Sequence, residues 1–194
     1  MQPNSDSPQT GRQIPKMQSI YLDPCLAACD DFVLPYCHKL ARVDMEQASV
    51  MHTWVPAESD TVVLIKVQAH TLMYIPKNDM MYYAHPSFAL GPMCPEHTVF
   101  VSQFVLDDGT TPRLLVFDMA SDGRRSLQGI PAADRYRLLH ERGAEALQHP
   151  QCIVQWVGEL GALKDASFLK HLPHKVSTLM SLTSNPMAVH VHAE

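Results

Sequence analysis

The chain has 194 residues, of which 46% are hydrophobic and 18% charged, and a formal net charge of −5. A domain of this size buries about 70% of the surface its unfolded chain exposes, enough to fold without disulfide or metal staples. The acidic balance has the wrong sign for a protein that coats DNA or RNA through phosphate contacts, and no apolar run reaches the ~18 residues of a membrane-spanning helix.

Residues 1–18 hold Pro3, Pro8 and Pro15 among Ser, Gln, Asn and Gly. That composition cannot offset the entropy of ordering, so it predicts a disordered arm ahead of a single domain over residues 19–194. The start is polar, without an apolar signal segment, and the five cysteines are odd in number and unevenly spaced. The expectation is a cytoplasmic or nuclear chain with reduced thiols.

Residues 23–50 are loosely helical, with Asp23 as N-cap before Pro24 at the first helical position and Pro35 limiting the helices to short ones. The period then changes. Residues 61–75 are long, apolar and β-branched and read as one strand; Lys77-Asn78-Asp79 supplies a turn and residues 80–84 return as a second strand. A further hairpin pairs residues 98–106 with 113–119 across Asp107-Asp108-Gly109, and Asp122-Gly123 makes another turn. Pro131 opens a helix to about residue 147, with Asp134 favourable in its first turn and Tyr136, Leu139 and Leu147 on one face. Residues 152–157 predict a strand, 159–172 a helix stopped before Pro173, and 187–192 a short edge strand. Paired hairpins with helices between them make this an α+β fold with mainly antiparallel sheets, not a doubly wound one.

Several residue sets invite a chemical reading. Cys25-x3-Cys29-x7-Cys37-His38 has helical one-turn spacing rather than the two tight pairs of a structural zinc site. His190-x-His192 places two imidazoles on one face of a strand without a third ligand nearby, the pattern of a surface pair. His171 and His174 flank Pro173 as solvated or capping groups. No Gly-x-Ser-x-Gly elbow exists for a serine hydrolase, and Cys94 and Cys37-His38 are candidate thiol nucleophiles by composition alone. Trp54 and Trp156 are the two tryptophans; Trp156 is the better placed to stack on a methylated, positively charged base, a cation–π contact of about 1–2 kcal/mol. Met73, Met80, Met81 and Met93 read as core filling. No metal site and no cofactor are expected from these patterns.

The segment from Leu115-Val116-Phe117-Asp118 through Asp122-Gly123-Arg124-Arg125, Ile130-Pro131 and Arg135-Tyr136-Arg137-Leu138-Leu139 resembles the nucleotidyltransferase core of ATP-dependent DNA ligases and mRNA capping enzymes. The non-catalytic cap-binding domain of snurportin is similar in the same place. The resemblance covers about residues 60–147 and implies an ATP-grasp-like ligase core. It sets Lys66 where that family carries its catalytic Lys-x-Asp-Gly motif, yet Val67, Gln68 and Ala69 follow. Gln103 stands where an acidic residue is expected, and the uncharged residues 152–157 occupy the place of a later Glu-Gly and Lys-x-Lys pair. An attacking lysine needs a depressed pKa and a neighbouring metal, and without carboxylates little would hold Mg²⁺.

The expected function is therefore a non-catalytic nucleotidyltransferase-like domain that binds a nucleotide, an RNA 5′ end or cap, or a partner protein. Its implied ligand-binding residues are Lys66, Gln103, Asp118, Arg124, Arg125 and Trp156. The rivals are an assembly subunit binding protein or forming a homo-oligomer with no small ligand, and an active nucleotidyltransferase using Lys66.

Overall fold

The computed structural model describes residues 12–13, 51–78, 80–127, 129–182 and 189–192. The strands are Arg12–Gln13 (β1), Met51–Pro56 (β2), Asp60–Val67 (β3), His70–Ile75 (β4), Met80–Tyr83 (β5), Thr98–Asp107 (β6), Thr111–Asp122 (β7), Cys152–Val154 (β8), Val176–Leu182 (β9) and Val189–His192 (β10). The α-helices are Ala132–Ala146 (α1) and Leu160–Lys164 (α2). A seven-stranded sheet has the order β1-β5-β4-β3-β6-β7-β8, and a three-stranded sheet the order β10-β9-β2. Pairing is antiparallel throughout except between β7 and β8. The fold is a sheet-rich α+β one, with two α-helices among the described residues.

The large sheet is covered on both faces. Val62 and Leu64 of β3, with Phe100, Leu114 and Val116, pack against Leu139 and Ala146 of α1. The alternate residues Val63 and Ile65, with Val99, Val101 and Phe117, pack against Met180 and Leu182 of the small sheet. Strand side chains alternate between faces, so a strand buried on both sides is apolar at nearly every position.

That continuity explains the main departure from the predicted elements. Residues 61–75 form two strands rather than one, because the chain reverses at Gln68-Ala69 between Val67 and His70. Gln68 takes a left-handed φ of 51°, and neither turn residue is a Gly, Pro, Asn or Asp that would mark a break. Strands β2 and β9 pair with each other in the small sheet, and neither was anticipated.

The predicted strand over 152–157 ends at Val154. There the chain crosses between sheets: Gln155 N still donates to Val116 O of β7 at 2.7 Å, while His52 of β2 and Gly158 exchange backbone hydrogen bonds at 2.7 and 2.9 Å. The predicted helix over 159–172 is divided into α2 and the 3-10 turn Ser167–His171. The break turns Phe168 toward the rings of Trp54 and Trp156, at 5.5 and 5.9 Å. The Asp107-Asp108-Gly109 hairpin turn, α1 and the edge position of β10 match expectation. Of the predicted arm only β1 is described; the rest of it and the helices over 23–50 lie outside the described residues.

Helix α1 is fastened by a buried ion pair. Asp118 on β7 accepts from Arg135 Nε at 2.9 Å and Nη2 at 2.8 Å, and from Met119 N at 2.8 Å. The two side chains are 3% and 1% exposed, and Arg135 Nη1 also donates to Ile130 O. A bidentate fork of this kind satisfies both charges, and removing one partner leaves the other uncompensated in the core. Asp118→Ala should therefore lower unfolding stability by about 3–5 kcal/mol, measured by denaturant unfolding, whereas Asp118→Leu combined with Arg135→Met should recover most of the loss.

Candidate functional site

The six residues expected to bind ligand do not converge. Lys66 lies near the end of β3 on the helix-facing side with Val62 and Leu64. It is 4% exposed, and its Nζ donates to Leu90 O at 3.4 Å. Gln103 on β6 is paired with Thr61 of β3, two residues along from the Val63–Val101 pair and so on the same face, the one toward the small sheet. It therefore points to the opposite side of the sheet from Lys66, where its Oε1 is buried without a hydrogen bond. Asp118 is not presented at a sheet end, since β7 runs on to Asp122 and the carboxylate is held by Arg135 and Met119 N.

Arg124 and Arg125 are exposed in the turn after β7. Their amides donate to Asp122 Oδ1 at 2.9 and 3.0 Å, and Arg125 Nε lies 4.0 Å from Asp122 Oδ2. Gly123 allows this turn: its φ is 82°, and a Cβ there would lie 2.6 Å from Glu96 O. The two arginines thus shape a turn around Asp122 and are remote in role from a phosphate cradle. Trp156 is half-buried, its ring over Gly158 and edge-to-face with Phe168 at 66°.

Lys66 lies beside Cys94, which the sequence offers as a thiol by composition alone, and Thr98, a grouping that the sequence did not single out. Its positive charge reaches Cys94, as does the Thr98 hydroxyl; burial pushes the Cys94 thiol up and these two neighbours oppose the rise. Apart from this weak contact with sulfur, the buried Thr98 Oγ1 has no hydrogen-bond partner. Cys94 and Thr98 line a cavity with Phe100, Met119, Asp122, Arg142 and Ala146 whose volume is about 10 Å³. That is room for about one water molecule, not for a nucleoside. Burial raises the thiols of both described cysteines, Cys94 and Cys152, the latter to about 12, which works against a nucleophilic thiolate at either.

Asp122 closes the far side. Burial raises its carboxyl, but the amides of Arg124 and Arg125 and the guanidinium of Arg142, 2.8 Å away, outweigh burial and hold it below its ordinary value. The site is an electrostatic clasp joining the end of β7 to α1.

The residues Cys25, Cys29, Cys37 and His38 lie outside the described set. His190 sits opposite Ser181 in the register, and His52 lies opposite the same serine on its other side, with His52 Nδ1 3.0 Å from Ser181 Oγ. Among the described residues no three His, Cys, Asp or Glu side chains gather as a metal site. His174 is not a solvated group: its side chain is 5% exposed and bonded to Trp54 and Asp107. That link joins residues 120 and 67 apart in sequence, so no local pattern announces it. Met73 is buried as expected, but Met93 is 76% exposed and fills no core.

Comparison with known proteins finds no family model that matches the chain and no curated relative.

The clasp makes a signed pH prediction. A carboxylate whose folded pKa is depressed contributes stability that is present above its unfolded pKa, about 4, and lost as pH falls through the folded value. Asp122→Asn should be less stable than the unmodified chain at pH 7, and the two unfolding curves should approach each other as pH falls below about 4.

Proposed function

We propose that this chain is a non-catalytic domain built on a nucleotidyltransferase-like scaffold, and that it works as a protein-interaction or assembly module. The scaffold reading is supported by the order of elements: the strand bearing Lys66, its hairpin partner, the strand carrying Phe117-Asp118, the glycine turn and the helix that follows Pro131. The observation that carries the functional reading is the division of the expected ligand groups. Lys66 and Gln103 occupy opposite faces of a sheet buried on both sides, and Asp118 is spent on Arg135. A lysine attacking an α-phosphate must share one solvent-connected site with the groups that bind the phosphates.

The apolar surface lies elsewhere. Phe168 is 38% exposed beside half-buried Trp156, and partly exposed aromatics of this kind anchor protein interfaces. The net charge of −5 suits a protein partner or a second copy of the chain better than RNA. The second reading, a nucleotide or RNA cap stacked on Trp156, is favoured by the ring's partial exposure and opposed by its edge-to-face packing with Phe168.

Incubation with labelled ATP or GTP and Mg²⁺, cap-analogue titration followed by tryptophan fluorescence, and solution mass of the full chain separate the readings. The expected outcome is no label, no quenching and a dimer-sized or larger mass that falls in Phe168→Ser. A labelled band lost in Lys66→Ala would overturn the proposal in favour of an enzyme. Cap-dependent quenching lost in Trp156→Ala would overturn it in favour of a cap binder.

A further inference from the structure

His174 lies between the 3-10 turn Ser167–His171 and β9, and its two ring nitrogens face partners of opposite character. Nε2 lies 3.3 Å from Trp54 Nε1, and Nδ1 lies 2.9 Å from Asp107 Oδ1. An indole N–H donates and never accepts. Nε2 is therefore the acceptor, and the ring proton sits on Nδ1, donated to Asp107. Neutral His174 satisfies both partners at once and ties β2 of the small sheet to β6 of the large one.

We propose that His174 is a proton-operated pin between the two sheets. When Nε2 takes a proton from solvent, its hydrogen bond from Trp54 Nε1 breaks, and Trp54 with its aromatic neighbours is released from the loop. The protonated ring carries a donor on each nitrogen, so two N–H groups would face each other across a buried contact. The Asp107 side survives, because a carboxylate accepts from imidazolium as readily as from imidazole. Asp107 is itself fixed: its second oxygen accepts from Arg113 Nε, and Arg113 Nη1 donates to Pro150 O at 2.8 Å. The partner that gives way is Trp54.

The charged groups around the ring do not supply a second switch. Asp107 and Arg113 are in contact and balance each other. Asp108 is exposed, its amide bonded to Pro173 O at 2.9 Å, and Lys170, His171 and Lys175 on the flanking chain are exposed too. Release of Trp54 reaches the surface through Phe168, whose ring bridges Trp54 and Trp156. Only that last step, a change in the aromatic interaction surface, rests on the function proposed above; release of Trp54 does not.

The test is NMR of the full chain labelled with ¹⁵N, from pH 8 to pH 5, the window in which histidines titrate. The Trp54 indole resonance, assigned by its loss in Trp54→Phe, should shift through a one-proton transition. Its protection from solvent exchange, taken relative to the intrinsic rate at each pH, should fall about fivefold or more as the hydrogen bond is lost. Both changes should be absent in His174→Gln. Should that variant fail to fold, the ring nitrogens of His174 in the unmutated chain give the same answer: the Nδ1–H tautomer at pH 8, and double protonation tracking the Trp54 shift. A Trp54 resonance that stays fixed from pH 8 to pH 5, a transition that persists in His174→Gln, or an Nε2–H tautomer at pH 8 would overturn the proposal.

Discussion

A sheet buried on both faces has no solvent side on which to hold a ligand, and the central strands β3, β6 and β7 are buried in this way. Helix α1 covers one face and the three-stranded sheet the other. Every polar group on these strands must be satisfied internally or remain as a cost. Asp118 meets that demand with a bidentate arginine, and Ser102 with a hydrogen bond to Val62 O at 2.7 Å. Gln103 leaves its oxygen unpaired, and Lys66 is left with one long bond to a carbonyl. Lys66 and Gln103, two of the residues expected to bind ligand, are thus held as interior groups on different sides of the same layer.

The two sheets are joined at their ends as well as through the core. The chain itself crosses from one to the other at Gln155, whose Nε2 donates to Trp54 O at 2.7 Å, and Thr53 Oγ1 donates to Trp156 O at 2.7 Å. The run from Trp54 through His174 and Asp107 to Arg113 makes a second tie. These polar links give the sandwich a fixed register where apolar contact alone, being non-directional, would allow sliding. They also set Trp54, Phe168 and Trp156 in one group at the margin of the small sheet, where Phe168 and Trp156 are partly exposed.

Much of this architecture was legible in the sequence where local chemistry carried it. Asp107-Asp108-Gly109 marked its hairpin because Asp108 and Gly109 take left-handed φ values of 51° and 71°, conformations that Asp and Gly tolerate. Pro131 marked the start of α1 for a similar reason. The reversal at Gln68-Ala69 was hidden because neither residue advertises it and the flanking strands are apolar on both faces. Strand β9 was not anticipated, although Val176, Thr178, Met180 and Leu182 alternate along it. The place of β2 beside it, by contrast, depends on pairing across more than half the chain. The facing of Lys66 and Gln103 is a matter of strand register, which two separate sequence patterns do not fix. For the same reason His174 was read as a surface group when it is a buried link.

The claim on which the functional account rests is that Lys66 and Gln103 belong to separate environments, not one binding site. A double-mutant cycle of Lys66→Met and Gln103→Leu, followed by denaturant unfolding of the full chain, tests it most directly. Independent sites predict that the two stability changes add to within about 0.3–0.5 kcal/mol. A coupling well beyond that, toward the upper end of the roughly 0.5–3 kcal/mol seen for residues sharing one network, would contradict the account and return Lys66 and Gln103 to a common site.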